Sequence, residues 1–184
     1  MHVEFGADRI RYTGYEIPAA TVHPDGTLAA ALIRDADWST HPPEIRTRRG
    51  ETLFVPAAHS QDLALFCERA AITRVRRFDV WADLLEPFLD TEFPEADQRA
   101  TLERLRSHAG LDAAAVAGIR ARVDRLMTAY NIDSMLWEWT HLGLFDLVGA
   151  AAGRLVPPRI TACLGPADEF YWWAMRLADL PTSR

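Results

Sequence analysis

The chain has 184 residues, of which 49% are hydrophobic and 25% charged, so global disorder is not expected and a core can form without disulfide staples. Its formal net charge of −6 argues against nonspecific nucleic-acid binding, which draws most of its affinity from a basic surface. No apolar run approaches the length of a membrane span, and the first residues lack the features of a secretory signal. The sequence therefore predicts a cytoplasmic protein.

Residue usage is biased in a way that indicates a GC-rich bacterial genome. All 20 basic residues are arginine, and asparagine occurs only at Asn131. The two cysteines, Cys67 and Cys163, are too far apart to suggest a metal site or a disulfide framework, and both are predicted to be small core residues.

The first third of the chain is predicted to form an antiparallel meander of four or five short strands. The strands are predicted at 9–12, 15–22, 27–33, 44–48 and 51–55. Residues 9–12 alternate polar and apolar side chains, as a half-buried strand does. The Pro-Asp-Gly sequence at 24–26 and the Arg-Gly pair at 49–50 are typical of tight turns, and 35–43 is predicted to be a loop.

Beyond residue 58 the apolar spacing changes to that of helices. Helices are predicted at 60–70, 78–90, 94–109, 112–130, 132–150 and 167–179, and an edge strand at 160–164. Pro87 is expected to shorten the second helix, and Gly110 suits the end of the third. A break near Asn131 is favoured over one continuous helix.

These elements predict an α+β fold, with an N-terminal β meander followed by a mainly helical part of five to six helices. A single domain over 1–184 is expected, composed of a β unit (1–57) and a helical part (58–184). Because the strands precede the helices and do not alternate with them, a dinucleotide-binding α/β fold is disfavoured.

An acidic stripe is predicted on the second helix. At about 100° per residue, its four carboxylates fall on one narrow face: Asp79, Asp83, Glu86 and Asp90. They could form a solvated face, or bind a cation or an arginine-rich partner. An internal contact with the arginines at 74–77 or 46–49 would offset the repulsion between the like charges.

The helix predicted at 132–150 is apolar nearly all round, which is typical of a buried central helix. Its polar residues Ser134, Glu138 and His141 project in similar directions. Glu138 and His141 could form a structural bond, act as general acid and base, or bind a metal together with Asp83, Glu86 and Asp90. A ligand pocket beside this helix would be lined by Glu138, His141, Trp137 and Trp139.

The C-terminal helix has two apolar faces. Phe170, Trp173, Ala174 and Leu177 form a stripe that is predicted to be core. Tyr171, Trp172 and Met175 lie on the other side, and such residues are typical anchors of interfaces. This second face is a candidate surface for a protein partner or for a homo-oligomer.

No motif for a nucleophile, a phosphate loop or a dinucleotide is present, and the absence of lysine excludes Schiff-base chemistry. The sequence favours a non-enzymatic interaction or regulatory protein. A metal-dependent enzyme or metal-binding protein and a small-molecule binder are the alternatives. Whether the protein is an enzyme, and which cofactor it would use, stays open at this point.

Overall fold

The structure, a computed structural model, describes residues 1–89, 94–134 and 141–181, and for residues 133 and 134 the backbone alone. Within these ranges it has six strands and seven α-helices, which confirms the α+β class with slightly more strands than predicted. The strands are β1 (His2–Phe5), β2 (Arg9–Thr13), β3 (Gly26–Ala29), β4 (Ile33–Asp37), β5 (Glu44–Thr47) and β6 (Thr52–Phe54). The helices are α1 (Ser60–Arg69), α2 (Val80–Leu85), α3 (Glu95–Ala109), α4 (Ala113–Ser134), α5 (Leu144–Ala151), α6 (Pro158–Thr161) and α7 (Ala167–Ala178).

The chain divides into two compact units, Met1–Arg77 and Phe78–Arg184, which we call the β unit and the helical unit. The boundary lies about twenty residues beyond the predicted one, because α1 belongs to the β unit. The expectation of a single domain stays a prediction.

The β unit contains two antiparallel three-stranded sheets, in the orders β1-β2-β3 and β4-β5-β6. The alternation that predicted β2 is confirmed, because Ile10 and Tyr12 are fully buried while the arginines beside them are exposed. The hairpin between β5 and β6 is also confirmed. Its turn contains Gly50 at φ +83°, a conformation that glycine adopts without steric cost.

One predicted strand is wrong, and another is shorter than predicted. Residues 15–22 form turns, closed by hydrogen bonds such as that from the Ala20 N–H to the Ile17 carbonyl. Their apolar side chains are still buried in the core. The apolar pattern that this burial requires was interpreted as the pattern of a strand. A 3-10 turn at Ala30–Leu32 interrupts residues 27–33 and separates β3 from β4, which belong to different sheets. The predicted loop at 35–43 correspondingly begins with the end of β4.

A buried charge network ties β4 and β5 to the end of the β unit. Arg46 is 2% exposed, and it donates hydrogen bonds to the Asp35 carboxylate and to the Val75 carbonyl. Its Nη1 lies 3.4 Å from Oε2 of Glu44, and Nη2 of Arg77 lies 3.2 Å from the same oxygen. A guanidinium removed from water must be paired in this way, because an unpaired buried charge is strongly destabilising.

The predictions for the two cysteines have opposite outcomes. Leu63, Phe66 and Cys67 of α1 are fully buried, as their helical spacing predicted. Cys163 is exposed, so its assignment to the core was wrong.

The edge strand predicted at 160–164 is wrong, because these residues are helical, in α6 and in the 3-10 turn that follows it. Pro158 stands at the start of this helix, where its missing N–H costs nothing.

Helix α2 lies at the centre of the helical unit, in contact with α3, α4 and α7. Trp81 is 1% exposed, and its indole N–H donates to the Ala174 carbonyl of α7 at 3.0 Å. The shortening by Pro87 is confirmed, because α2 ends at Leu85 and continues only as a 3-10 turn over Glu86–Phe88.

The favoured division of 112–150 into two helices is confirmed, but the break lies beyond Asn131, because α4 runs without interruption to Ser134 and α5 begins at Leu144. The continuous apolar helix predicted at 132–150 is wrong. Residues 141–143 are not helical, and α5 begins at Leu144 with Gly143 as its N-cap. The Asp146 carboxylate accepts a hydrogen bond from the Gly143 N–H at 2.9 Å and so satisfies a donor that the helix leaves free.

Candidate functional site

The acidic stripe is occupied largely by contacts within the helical unit. Asp79 caps α2 by accepting from the Ala82 N–H at 3.0 Å, so it is not on the helix face. Asp83 accepts two hydrogen bonds of 2.9 Å from Arg104 of α3. Glu86, in the 3-10 turn, accepts from the Thr101 hydroxyl at 2.9 Å. Asp83 and Glu86 are therefore paired within the helical unit, while Asp90 lies outside the described residues. That the four carboxylates bind a partner stays a prediction.

The internal acid–arginine contact that we expected exists, but with an arginine that was not predicted. Asp83 pairs with Arg104, which follows it by 21 residues. Arg46 and Arg77 pair with carboxylates of the β unit, and Arg74 donates to Asp37 at 3.2 Å. Spacing on one helix could not reveal Arg104, because its position depends on how α3 packs against α2.

His141 forms a polar cluster with residues from three elements of the helical unit. Its Nε2 lies 3.4 Å from Oδ2 of Asp79, at the start of α2. Asp146 of α5 accepts from the Tyr130 hydroxyl of α4 at 3.2 Å. Gly143 lies beside His141 and Asp79, because a β-carbon there would be in ordinary contact with both, 3.5 Å from the imidazole Nε2 and 3.7 Å from Oδ2 of Asp79. The hydrogen bond of Asp79 raises the pKa of His141 above its ordinary value, with a smaller electrostatic contribution from Asp146.

Burial governs the other two members of this cluster. It raises the pKa of Asp146, against the lowering effect of the Gly143 and Tyr130 hydrogen bonds. Burial likewise raises the pKa of Tyr130 to about 12. Asp146 therefore acts mainly as a buried anchor for α5. His141 has a side chain that is 58% exposed and is the member that can exchange protons with solvent.

The prediction that Glu138 and His141 share one helix face is wrong, because His141 is not helical. Glu138, Trp137 and Trp139 lie outside the described residues, and so do the side chain of Ser134 and residue Asp90. Among the residues that the structure describes, no group of three or more His, Cys, Asp or Glu side chains could hold a metal ion. The predicted metal ligands Asp83 and Glu86 are paired with Arg104 and Thr101 instead.

The second apolar face of α7 is mostly internal. Tyr171 is 2% exposed and Met175 is fully buried, so both pack inside the helical unit. This burial corrects the expectation of an exposed face formed by Tyr171, Trp172 and Met175. Trp172 remains half-buried, and so does Trp173, which was assigned to the core.

Both tryptophans line a groove of about 520 Å³, which we call the Trp–Arg groove. It is an open groove on the helical unit, formed by Arg122 of α4 and by one face of α7. The residues that line it are Arg122, Asp168, Glu169, Trp172, Trp173 and Arg176. Apart from the two indoles, all of them are exposed. The groove thus combines aromatic surface with charges of both signs.

The groove is held in shape by stacking. The Arg122 guanidinium lies 4.1 Å from the centre of the Trp173 ring, close enough for a cation–π interaction. Trp173 also meets the buried Trp81 edge to face, with ring centres 5.5 Å apart. Trp172 packs against Tyr171 at 5.6 Å. Each indole therefore has an aromatic neighbour within the helical unit and remains partly accessible to solvent.

Sequence reasoning found one of the six groove residues, Trp172. Asp168 and Glu169 stand in the first turn of α7, where acidic side chains are favourable for the helix dipole, so their positions have a local explanation as well. Arg122 carries no local signal, since it is about fifty residues away in sequence. The regular spacing of Asp168, Trp172 and Arg176 is a signal that could have been recognised.

Comparison with protein-family models, with curated proteins and with solved structures gives no match for this chain. Among the described residues, no helix is both long enough and apolar enough to span a membrane.

Proposed function

We propose that this is a non-enzymatic interaction protein, which binds another polypeptide in the Trp–Arg groove. The observation that carries the proposal is that two half-buried indoles and two exposed arginines line one groove of about 520 Å³. Tryptophan and arginine are the residues that most often dominate the binding energy of protein interfaces. Charged residues form a rim around the indoles, as in an interface whose centre is apolar and whose periphery is polar.

Preorganisation supports this proposal. Because Trp173 is held by Arg122 and Trp81, its ring does not have to be ordered when a partner binds. Ordering a side chain at an interface costs about 0.5–1.5 kcal/mol, so a prepositioned indole retains more of its contact energy for binding.

An open groove favours a polypeptide over a small molecule. Sites for small molecules enclose about 70–90% of the ligand surface and are lined mainly by apolar groups. The Trp–Arg groove is bordered by four exposed charged side chains, Arg122, Asp168, Glu169 and Arg176. A partner that presents both an apolar side chain and charges of each sign would complement it.

Photo-crosslinking in the cell of origin tests this proposal. A photoreactive phenylalanine analogue at position 169 should form a covalent adduct with a protein, since Glu169 lines the groove. The same analogue at position 99, exposed on α3, serves as the matched control. We expect Trp172→Ala to remove the adduct at 169 and Trp172→Phe, which retains an aromatic surface, to preserve much of it. The proposal is overturned if no adduct forms, or if the same adducts form at both positions regardless of Trp172.

A further inference from the structure

We infer that the polypeptide bound in the Trp–Arg groove is a second copy of this chain, whose α7 pairs antiparallel with the first. This inference rests on the proposed function and names its partner. It comes from the order of three groove residues along one helix face: Asp168, Trp172 and Arg176.

The three residues are four positions apart, so they form one row along α7 with steps of about 6 Å. Rows of this i, i+4 type are the ridges through which helices most often pack on one another. A two-fold axis through the middle residue of such a row places the first position of one copy opposite the last position of the other. The contact is then self-complementary, as a two-fold interface requires.

The charges along this row fit an antiparallel pair. Asp168 of each copy would face Arg176 of the other, so that two opposite-charge contacts form by symmetry. A parallel pair would instead place Asp168 beside Asp168 and Arg176 beside Arg176, which is repulsive. All three side chains belong to the groove, and Asp168 and Arg176 are exposed, so the arginine has room to reach a carboxylate.

Trp172 would lie at the axis and meet its own counterpart. Its ring is half-buried and meets the buried Tyr171 in a nearly perpendicular contact, so part of the indole surface remains accessible to a partner. Two indoles brought together in this way would form the apolar centre of the contact, and the four charges would form its rim. Because α7 has 12 residues and is about 18 Å long, the interface is small. A dimer of this size should dissociate on dilution.

Analytical ultracentrifugation of the full chain tests the pairing through charge reversals. We expect a reversible dimer for the natural protein. Asp168→Arg and Arg176→Asp should each raise the dimer dissociation constant by roughly tenfold or more, because each variant alone faces like charge twice. A mixture of the two variants should dimerise again, since each then meets opposite charge on the other. The double variant, with both reversals in one chain, should also dimerise.

Asp124→Arg, an exposed reversal on α4 outside the groove, is the matched control and should leave the dissociation constant unchanged. Circular dichroism verifies that each variant is folded, and the mixing experiment stays decisive if the double variant is not. The inference is overturned if the natural protein is monomeric at all concentrations tested, or if mixing the two variants restores nothing. An adduct between position 169 and a different protein, with a monomeric natural chain, would overturn this inference and leave the proposed function standing. Absence of any adduct would overturn the proposed function itself.

Discussion

Individual charged residues account for much of the order within the β unit. Arg46 is the clearest case, since it is buried between two carboxylates and a backbone carbonyl. Its contacts join β4, β5 and the segment that contains Val75. Removing the guanidinium would take a buried positive charge from both carboxylates, leaving Asp35 in contact with Arg34 at 2.8 Å and Glu44 in contact with Arg77 at 3.2 Å.

Arg46→Ala should lower the free energy of unfolding by about 3–5 kcal/mol, the usual cost of breaking a buried ion pair. Chemical denaturation monitored by tryptophan fluorescence measures this quantity. Arg11→Ala, at an exposed position of β2, should change it by no more than about 0.5 kcal/mol. Equal losses for the two variants would show that the Arg46 network does not stabilise the fold.

His141 and Asp79 link the start of α2 to the segment that precedes α5. The hydrogen bond of Asp79 raises the pKa of His141 in the folded protein above its value in the unfolded chain. The stabilisation from this pair is therefore complete below about pH 6.5 and is lost as the pH rises through the folded pKa. Because both side chains are about half exposed, its size should be that of a surface ion pair.

Asp79→Asn should reduce the decline in stability between pH 6 and pH 8 by about 0.2–1 kcal/mol. Asparagine retains the oxygen that caps α2, so the variant removes the charge without removing the cap. His141→Gln should have the same effect on the pH profile. Denaturation at a series of pH values provides the measurement, and an unchanged slope in both variants would contradict the assignment.

At the scale of elements, close packing determines whether a glycine can be replaced by a larger residue. Gly26 begins β3, where a β-carbon would lie 2.6 Å from Cα and 2.7 Å from the carbonyl oxygen of Val22. Only a glycine allows the chain to pass so near this backbone. Gly118 is the opposite case, since it is exposed on α4 and nothing lies within 4 Å of the same atom.

Gly26→Ala should destabilise the protein by about 1–3 kcal/mol, because the Val22 backbone would have to shift. Gly118→Ala should stabilise it by about 0.5–1 kcal/mol, because alanine is the better helix former. Thermal unfolding of the two variants gives the signs directly. Two changes of the same sign would contradict the assigned environments.

At the scale of the whole molecule, the net charge of −6 opposes self-association, and local charge pairing has to overcome it. In the proposed dimer, the Asp168–Arg176 contacts are electrostatic, whereas the contact between the Trp172 side chains depends on apolar burial. Salt separates these contributions, because the Debye length falls from about 8 Å at physiological ionic strength to about 3 Å at 1 M.

Raising the salt concentration should therefore shrink the difference in dimer dissociation constant between the natural protein and Asp168→Arg. The effect of Trp172→Ala should persist, because screening does not weaken apolar contacts. Ultracentrifugation at low and high salt gives both comparisons. If salt abolished the Trp172→Ala effect as well, Trp172 would not be the apolar centre of the contact.

Local patterns in the sequence determined the class of fold and many of its elements. The alternation at 9–12, the turn at Gly50 and the spacing of Leu63, Phe66 and Cys67 each predicted what the structure shows, because each pattern acts within a few residues. Three side chains of α7 were predicted to form a contact face, and of these Trp172 remains partly accessible. Its neighbours Tyr171 and Met175 have the same periodicity and are buried.

Tertiary structure alone decided which residues meet across the chain. The pairing of Asp83 with Arg104, of Asp79 with His141, and of Arg122 with Trp173 joins positions between 21 and 62 residues apart. Tertiary structure also decided that α5 begins at Leu144, with the Gly143 N–H donating to the Asp146 carboxylate. The periodicity of the sequence had suggested a continuous helix there. Periodicity specifies which face of an element is apolar, but which element covers that face depends on the packing of the whole unit.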